Sequence, residues 1–133
     1  MKYLLDTNIC VHVMNRSRPS LTRRILLQHP EDIVISAITA SELSFGVAKS
    51  QRKAQSEAAL ARLLAAVAVA PFDGSAAAAY GRIRADLQSR GEPIGPLDTL
   101  IAAHAQALRV AVITNNTREF SRVRDLIVED WTL

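Results

Sequence analysis

The sequence predicts an α/β fold, in which a mostly parallel sheet of about four to five strands is flanked by helices. Two observations support this fold class and a single domain. Short apolar runs such as Tyr3-Leu4-Leu5 and Ile33-Val34-Ile35 alternate along the chain with longer segments of helical composition. The chain has 133 residues, 49% of them hydrophobic, which is near the commonest size for one domain and sufficient for one core. We therefore expect residues 1–133 to form a single domain.

The first strand and helix are predicted at the start of the chain. The apolar run Tyr3-Leu4-Leu5 ends at Asp6-Thr7-Asn8, residues that favour helix caps and turns, and residues 9–14 are again apolar. We interpret this pattern as a strand followed by a helix. After a polar loop, Ser20 is a candidate cap for a second helix over residues 21–28.

A second strand and two further helices are predicted next. The β-branched triplet Ile33-Val34-Ile35 is typical of a buried parallel strand. The pattern Thr39-x-x-Glu42 that follows it resembles a capping box and predicts the start of a helix that reaches Lys49. The Ala- and Leu-rich segment 53–66 predicts another helix.

The second half of the chain repeats the alternation. Residues 67–69 predict a weak strand, and Asp73 is a candidate cap for a helix over residues 74–90 that Gly91 ends. Pro96 suits the first turn of a helix, which places Asp98 in that turn. The remaining predictions are a helix to about residue 108, a strand over 110–113, a polar turn over 114–117, a short helix over 118–123 and a last strand at 127–128.

Composition excludes one kind of metal site and bears on the partner and the location of the protein. Cys10 is the only cysteine, and neither a CxxC nor an HExxH pattern is present, so a zinc site built from cysteine or histidine is excluded. The net charge of +3 weakly favours a polyanionic partner. The sequence has neither an apolar run of the roughly 18 residues that span a membrane nor the layout of a signal peptide. We therefore expect a soluble, cytoplasmic protein with no membrane partner.

Acidic residues stand where parallel sheets place their functional crevice, beyond the carboxyl ends of the strands. Asp6 follows the first strand and Glu42 lies near the start of the helix after the second, so both should share this edge. Asp98 opens a later helix, and we assume that its loop approaches from the same side. Each has a purely structural interpretation as a cap or as a charge that complements a helix dipole. Together, however, they would repel one another, and a bound Mg²⁺ or Mn²⁺ would relieve that repulsion. Such a cation supports in-line displacement at phosphate, which is nuclease chemistry.

The order of the motifs resembles a known family. The segments are Leu4-Leu5-Asp6-Thr7-Asn8-Ile9, Thr39-x-Ser41-Glu42-Leu43-x-x-Gly46, Ile83-Arg84-Ala85, the run from Gly91 to Ala105 and Thr114-Asn115-Asn116-Thr117-Arg118-Glu119-Phe120. Together they resemble a PIN domain, in particular the VapC-type toxins of bacterial toxin–antitoxin pairs, over nearly the whole chain.

The resemblance implies an activity, a cofactor and partners. It implies an endoribonuclease, a hydrolase of phosphodiester bonds, that depends on Mg²⁺ or Mn²⁺, with Asp6, Glu42 and Asp98 as catalytic and metal-binding acids. It implies an RNA substrate, and in particular a tRNA. The members that best match this pattern indicate cleavage in the anticodon stem-loop of initiator tRNA. It also implies a homodimer that a VapB-type antitoxin neutralises.

One position departs from the broader family pattern, which has a fourth acid two residues after the threonine of the fourth strand. Here that position is Asn116. Either Glu119 supplies the missing charge or Asn116 acts as a neutral ligand or positions a water, and the number of metal ions stays open. Glu119 has an equally good interpretation as a solvated acid at a helix start.

Other polar residues are candidates for secondary roles. Arg84 and Arg118 are candidate RNA-binding residues, although solvated arginines are common on a basic protein. Thr7 and Thr114 are candidates to support the acids or to cap helices. His104 lies mid-helix among alanines, which favours a packed or hydrogen-bonded histidine over a general base.

Two other functions compete with the nuclease. The first is a phosphatase of the haloacid dehalogenase type, which requires an aspartate where this chain has Asn8. The second is a catalytically weak module that binds RNA or the antitoxin, which Asn116 favours. An apolar face for association is also expected, with Leu43, Phe45 and Val47 as candidates, although core packing accounts for the same residues equally well.

Overall fold

The computed structural model describes all 133 residues and contains one sheet of five strands, all of them parallel. The strands are β1 (Tyr3–Leu5), β2 (Ile33–Ser36), β3 (Ala68–Ala70), β4 (Ala111–Ile113) and β5 (Val128–Glu129). Their order across the sheet is β3-β2-β1-β4-β5. The prediction of an α/β fold with a mostly parallel sheet is therefore confirmed.

Seven α-helices connect and cover the strands. They are α1 (Thr7–Asn15), α2 (Pro19–Leu26), α3 (Ala37–Ala48), α4 (Lys53–Ala66), α5 (Gly74–Ser89), α6 (Pro96–Leu108) and α7 (Thr117–Phe120), and a single 3-10 turn (Pro30–Asp32) precedes β2. None of the helices is both long enough and apolar enough to cross a membrane.

The two faces of the sheet bury separate hydrophobic cores. Successive side chains of a strand point to opposite faces, so Leu4 packs with α5 and α6 while Leu5 packs with α1, α3 and α4. In the same way Val112 lies in the first core and Ile113 in the second. Both faces are covered by helices, which explains why the strands are continuously apolar rather than alternating.

Several predicted caps are present. The Asp73 carboxylate accepts a hydrogen bond from the Ala76 N–H at 3.1 Å and so begins α5. Gly91 follows the end of that helix at φ 66°, a conformation that glycine adopts without a steric penalty. Pro96 occupies the first turn of α6, where its missing N–H costs nothing.

Two other predicted helix starts are wrong. α2 begins at Pro19 rather than after a Ser20 cap, because proline is already in a helical conformation at that position. Thr39 and Glu42 do not form a capping box, since Ser36 caps α3 by accepting from the Ile38 N–H. α3 therefore starts earlier than expected, and Glu42 lies in its second turn.

Of the three candidate residues for an apolar association face on α3, only one is exposed. Leu43 and Val47 lie in or beside the core, at 4% and 9% exposure, whereas Phe45 is 65% exposed on the opposite side of α3. Core packing therefore accounts for two of the three residues. Only Phe45, which lies below the ammonium group of Lys49, remains available on the surface.

Candidate active site

The candidate site lies where the order of strands reverses. The chain starts in β1 at the centre of the sheet, adds β2 and β3 on one side and then places β4 and β5 on the other. Open parallel sheets form their functional crevice at such a point, beyond the carboxyl ends of the strands. Asp6 follows β1 directly and Thr114 follows β4 directly. The crevice between β1 and β4 therefore carries residues from distant parts of the chain.

Asp6 is a buried carboxylate with two partners. Its Oδ1 accepts a hydrogen bond from the Ile9 N–H at 2.9 Å, which caps α1, and its Oδ2 accepts from the Thr114 hydroxyl. The side chain is 3% exposed. Burial raises the pKa of Asp6 and the negative charge of Glu42 adds to this effect, while the hydrogen bonds from Thr114 and Ile9 act against it. The structure thus fixes the position of a carboxylate that burial alone would tend to neutralise.

Glu42 reaches the same crevice from α3. The Thr7 hydroxyl donates to Glu42 Oε1 at 2.6 Å, and Thr7 Oγ1 lies 3.2 Å from Thr39 Oγ1. Thr39 is fully buried and Thr7 is half-buried, so these hydroxyls limit the positions that the longer Glu42 side chain can adopt. The sequence patterns identified Glu42 but missed Thr39 as a member of this network, because Thr39 was assigned to a cap.

Asp98 joins these acids from the first turn of α6, as was assumed for the loop that leads into this helix. The carboxylate is half-buried in the first turn of α6. Burial and the nearby charges of Asp6, Glu119 and Glu42 raise the pKa of Asp98 to about 6. The ordinary value for the group is 3.8. The raised pKa of Asp98 therefore reflects its burial and, to a smaller extent, the three other carboxyl groups near it.

Asn116 connects two of the acids. Its amide nitrogen donates to Glu119 Oε2 at 2.6 Å and lies 3.4 Å from Asp98 Oδ2. Its backbone N–H donates to Thr114 Oγ1 at 2.9 Å, so Thr114 is bonded to Asn116 and to Asp6 at once. Glu119 is thereby held close to Asp98. The amide nitrogen faces the acids, and a nitrogen that donates two hydrogen bonds is not a cation ligand.

The two candidate arginines lie in different environments. Arg84 donates to the Tyr80 hydroxyl at 2.9 Å and lines a cavity of about 230 Å³ that also includes Pro96 and Thr99, the neighbours of Asp98 on α6. Arg118 is exposed on α7, and none of its side-chain atoms makes a hydrogen bond or ion pair with the acids. Arg84 therefore lies in a cavity that borders the first turn of α6, whereas the position of Arg118 is known only from its short helix.

His104 lies outside the acid cluster and is packed. Its Nδ1 lies 2.7 Å from Ser36 Oγ, and the edge of its ring meets Phe72. Burial lowers the pKa of His104 and so favours the neutral ring. The side chain thereby links α6 to the residue that caps α3.

The donor set of the crevice suits a hard divalent cation. The acids that cluster there are Asp6, Glu42, Asp98 and Glu119, and carboxylate oxygens are the ligands that such cations prefer. Their mutual repulsion is the kind of strain that a cation relieves. No three of these side chains converge closely enough to enclose an ion by themselves. Mg²⁺ does not require such a cage, because it is usually bound by one or two carboxylates together with waters and substrate phosphates.

Known proteins resemble this chain over almost its full length. Residues 3–126 match the family described as PIN domain. The tRNA(fMet)-specific endonuclease VapC of Shigella flexneri is 39% identical over 132 residues, which are 99% of each chain. Ribonuclease VapC2 of Rickettsia felis is also 39% identical over 132 residues, at 98% of each chain.

Solved structures agree with this match. VapBC2 from Rickettsia felis bound to a promoter DNA fragment superposes with a TM-score of 0.92 at 37% identity, covering 98% of this chain and 99% of that chain. DNA-bound VapBC from Salmonella typhimurium gives a TM-score of 0.93 at 36% identity, covering 98% of both chains. VapBC-5 from Mycobacterium tuberculosis, of the VapBC family of toxin–antitoxin systems, gives 0.73 at 25% identity, covering 97% and 96%.

Proposed function

Since this chain belongs to the PIN domain family, we propose that it is an endoribonuclease toxin that cleaves tRNA and is neutralised by a VapB-type antitoxin. The name of the Shigella relative specifies tRNA(fMet), so initiator tRNA is the proposed substrate and its anticodon stem-loop the proposed region of cleavage. Two similar solved structures are VapBC pairs, which supports an antitoxin partner. We also propose that residues 1–133 act as one domain, as a homodimer, in the cytoplasm.

The observation that carries this proposal is the group of acids around Asp98. Burial raises the Asp98 pKa, and the negative charges of Asp6, Glu119 and Glu42 add to that effect and bring it to about 6. A protein that only required caps and surface charges would not concentrate four carboxyl groups from separate elements in one crevice. Perturbed titratable groups in a cleft are typical of active sites.

The cofactor we propose is Mg²⁺, with Mn²⁺ as a substitute, held by Asp6, Asp98 and Glu42. When bound, the cation would supply an activated water and neutralise charge on the scissile phosphate. Glu119 contributes charge to the same crevice, and the Asn116 amide holds it there at 2.6 Å. We therefore assign the role of the fourth acid to Glu119 and a positioning role to Asn116.

The remaining polar residues orient the acids and the RNA. Thr114 donates to Asp6 and Thr7 donates to Glu42, so each hydroxyl holds one carboxylate in the direction of the crevice. We propose that Arg84 binds a phosphate next to the scissile one, because it lines the cavity that borders the first turn of α6. Arg118 is proposed to contact RNA further from the acids.

A module that binds RNA or antitoxin without efficient cleavage is the second candidate. One observation favours it, namely that an amide rather than a carboxylate stands at position 116 and directs its nitrogen toward Asp98 and Glu119. In that case Asp6→Asn would leave toxicity and RNA affinity unchanged. A nuclease would lose both toxicity and cleavage while it remained folded.

The decisive experiment incubates the antitoxin-free protein with total tRNA in Mg²⁺ or Mn²⁺ and sequences the fragment ends. EDTA and Asp98→Asn serve as parallel controls. The proposal predicts discrete fragments from initiator tRNA that both controls abolish. Intact tRNA under every condition, from protein whose circular dichroism shows it to be folded, would contradict tRNA cleavage.

A further inference from the structure

A second polar cavity lies away from the acids, between the carboxyl end of α1 and helix α4 with the connection that precedes it. We call it the basic cleft and define it by its three arginines, Arg16, Arg52 and Arg62. It has a volume of about 560 Å³, and none of its ten lining residues is acidic. Three cations that share one concave surface produce a strong positive potential there.

The arginines of the basic cleft have no partners within the protein. Elsewhere on the chain, Arg90 and Arg124 are paired with Asp86 at 2.7 and 3.4 Å. The guanidinium groups of Arg16, Arg52 and Arg62 make no ion pair and no hydrogen bond with another side chain. All three side chains are exposed, so their donors are free for a ligand.

The backbone around the cleft is well ordered by local hydrogen bonds. Arg16 ends α1 at φ 54°, and its N–H donates to the carbonyls of His12 and Val13. Arg52 precedes α4, and its N–H donates to Ser50 Oγ at 3.1 Å. Ser50 Oγ in turn lies 2.8 Å from Ser56 Oγ, which joins the connection before α4 to the first turn of that helix. The arginines are therefore presented from fixed positions.

Helix α1 connects the basic cleft to the acid crevice. Asp6 caps its amino end, and Arg16 follows its carboxyl end. Ten residues at the helical rise of 1.5 Å separate the two positions by about 15 Å. The width of one RNA stem, or a few nucleotides of a single strand, spans this distance. One RNA molecule can therefore contact both sites.

We propose that the basic cleft binds phosphate groups of the RNA substrate at a distance from the scissile bond. This inference rests on the proposed ribonuclease function. The planar guanidinium fork matches phosphate oxygens, and three unpaired forks in one cleft match a chain of phosphates. Only two of the ten lining residues are hydrophobic, so the cleft lacks the apolar anchors that dock a folded peptide.

The test compares two triple variants of equal charge. The first replaces the cleft arginines, Arg16→Gln, Arg52→Gln and Arg62→Gln. The matched control is Arg23→Gln, Arg82→Gln and Arg109→Gln, which removes three exposed arginines outside the cleft and includes Arg109, whose φ of 59° matches that of Arg16. Both are made in an Asp98→Asn background, and binding of an initiator tRNA transcript is measured as a function of salt.

The inference predicts that the cleft variant binds this tRNA at least about tenfold more weakly, with a log–log salt dependence lower by about two. The control variant loses only a few-fold in affinity and nearly keeps its salt dependence. Equal losses in both variants would overturn the inference, since net charge alone would then account for binding. Unchanged RNA affinity combined with lost binding of the co-expressed antitoxin would also overturn it and would assign the cleft to an acidic segment of that protein.

The same data separate this inference from the proposed function. Because binding is measured in the Asp98→Asn background, the result does not depend on cleavage. A loss of tRNA affinity in the cleft variant therefore supports the inference even if the unsubstituted protein leaves tRNA intact. Conversely, if the cleft variant with Asp98 restored cleaves tRNA with an unchanged KM, the inference fails while the nuclease remains.

Discussion

The hydroxyl of Thr7 donates a hydrogen bond of 2.6 Å to Glu42 Oε1 and so joins the first turn of α1 to the second turn of α3. The two residues are separated by 35 positions in the sequence. Thr7 immediately follows Asp6, which means that one short segment places one carboxylate and orients another. The position of Glu42 in the crevice therefore depends on a neutral neighbour.

Thr7→Val is expected to lower kcat for tRNA cleavage by about 10- to 100-fold with little change in KM, because the Glu42 carboxylate loses its fixed orientation. The loss of the hydrogen bond is expected to cost about 1 kcal/mol of folding free energy. Thr7→Ser keeps the hydroxyl and should retain most of the activity. Steady-state kinetics and urea unfolding measure both effects. Equal kcat values in Thr7→Val and Thr7→Ser would show that the hydroxyl does not position Glu42.

The raised pKa of Asp98 predicts a pH dependence of stability in EDTA. Well below its ordinary pKa of 3.8 the carboxyl group is protonated in both the folded and the unfolded chain. Between its ordinary pKa of 3.8 and its folded pKa of about 6, only the unfolded chain releases the proton, so the contribution of Asp98 to stability declines as pH rises through this window. Asp98→Asn is expected to remove this decline and to make the metal-free protein more stable than the parent at pH 7.

Urea unfolding of parent and variant at pH 4, 5, 6 and 7 measures this difference, with Glu57→Gln on α4 as a control acid outside the crevice. A constant difference between parent and Asp98→Asn over the whole range would contradict the role of repulsion among the acids.

Asn116→Asp tests whether position 116 faces a cation. The substitution adds a fifth carboxyl group to the four of the crevice and removes the amide that bonds to Glu119 and Asp98, so the metal-free protein should lose stability. Mn²⁺ should bind about tenfold more tightly, because carboxylate ligands add charge to the site. Isothermal titration with Mn²⁺ gives the affinity, and Asn115→Asp, one residue earlier and exposed, is the matched control. Tightening of similar size in both variants would argue against a specific role of residue 116.

The two faces of α3 predict opposite outcomes for two neighbouring apolar residues. Leu43→Ala removes a side chain that is 4% exposed and is expected to cost about 2–5 kcal/mol of folding free energy. Phe45→Ala removes a side chain that is 65% exposed and should change the stability by less than about 0.5 kcal/mol. Thermal or urea unfolding of the monomer at low protein concentration provides the comparison. Similar losses in both variants would mean that Phe45 is covered.

Hydrophobic patterning predicted most of the fold because the strands and helices that build both cores carry regular patterns of apolar residues. The β-branched run 33–35 and the Ala- and Leu-rich segment 53–66 carry local signals strong enough to define a strand and a helix. The cap at Asp73 was also predictable, since a short polar side chain before a helical segment has few other roles. Such features depend on residues that are neighbours in the sequence.

The arrangement of the site was less predictable because its contacts are long-range. Thr39 and Glu42 have the spacing of a capping box, yet Ser36 already caps α3 and Thr7 engages Glu42 from another helix. The direction of the Asn116 amide depends on where Glu119 and Asp98 lie, which no local pattern encodes. The basic cleft likewise combines Arg16 at the end of α1 with Arg52 and Arg62, which stand before and within α4.

The central position of β1 has a consequence during translation. Its neighbour β4 lies near the carboxyl end of the chain, so β1 keeps one unpaired edge until residues 111–113 have left the ribosome. Until then Asp6 also lacks Thr114, and Asn116 and Glu119 have not yet been added to the crevice. A nascent chain therefore lacks part of the acid crevice until residues 114–119 have been synthesised.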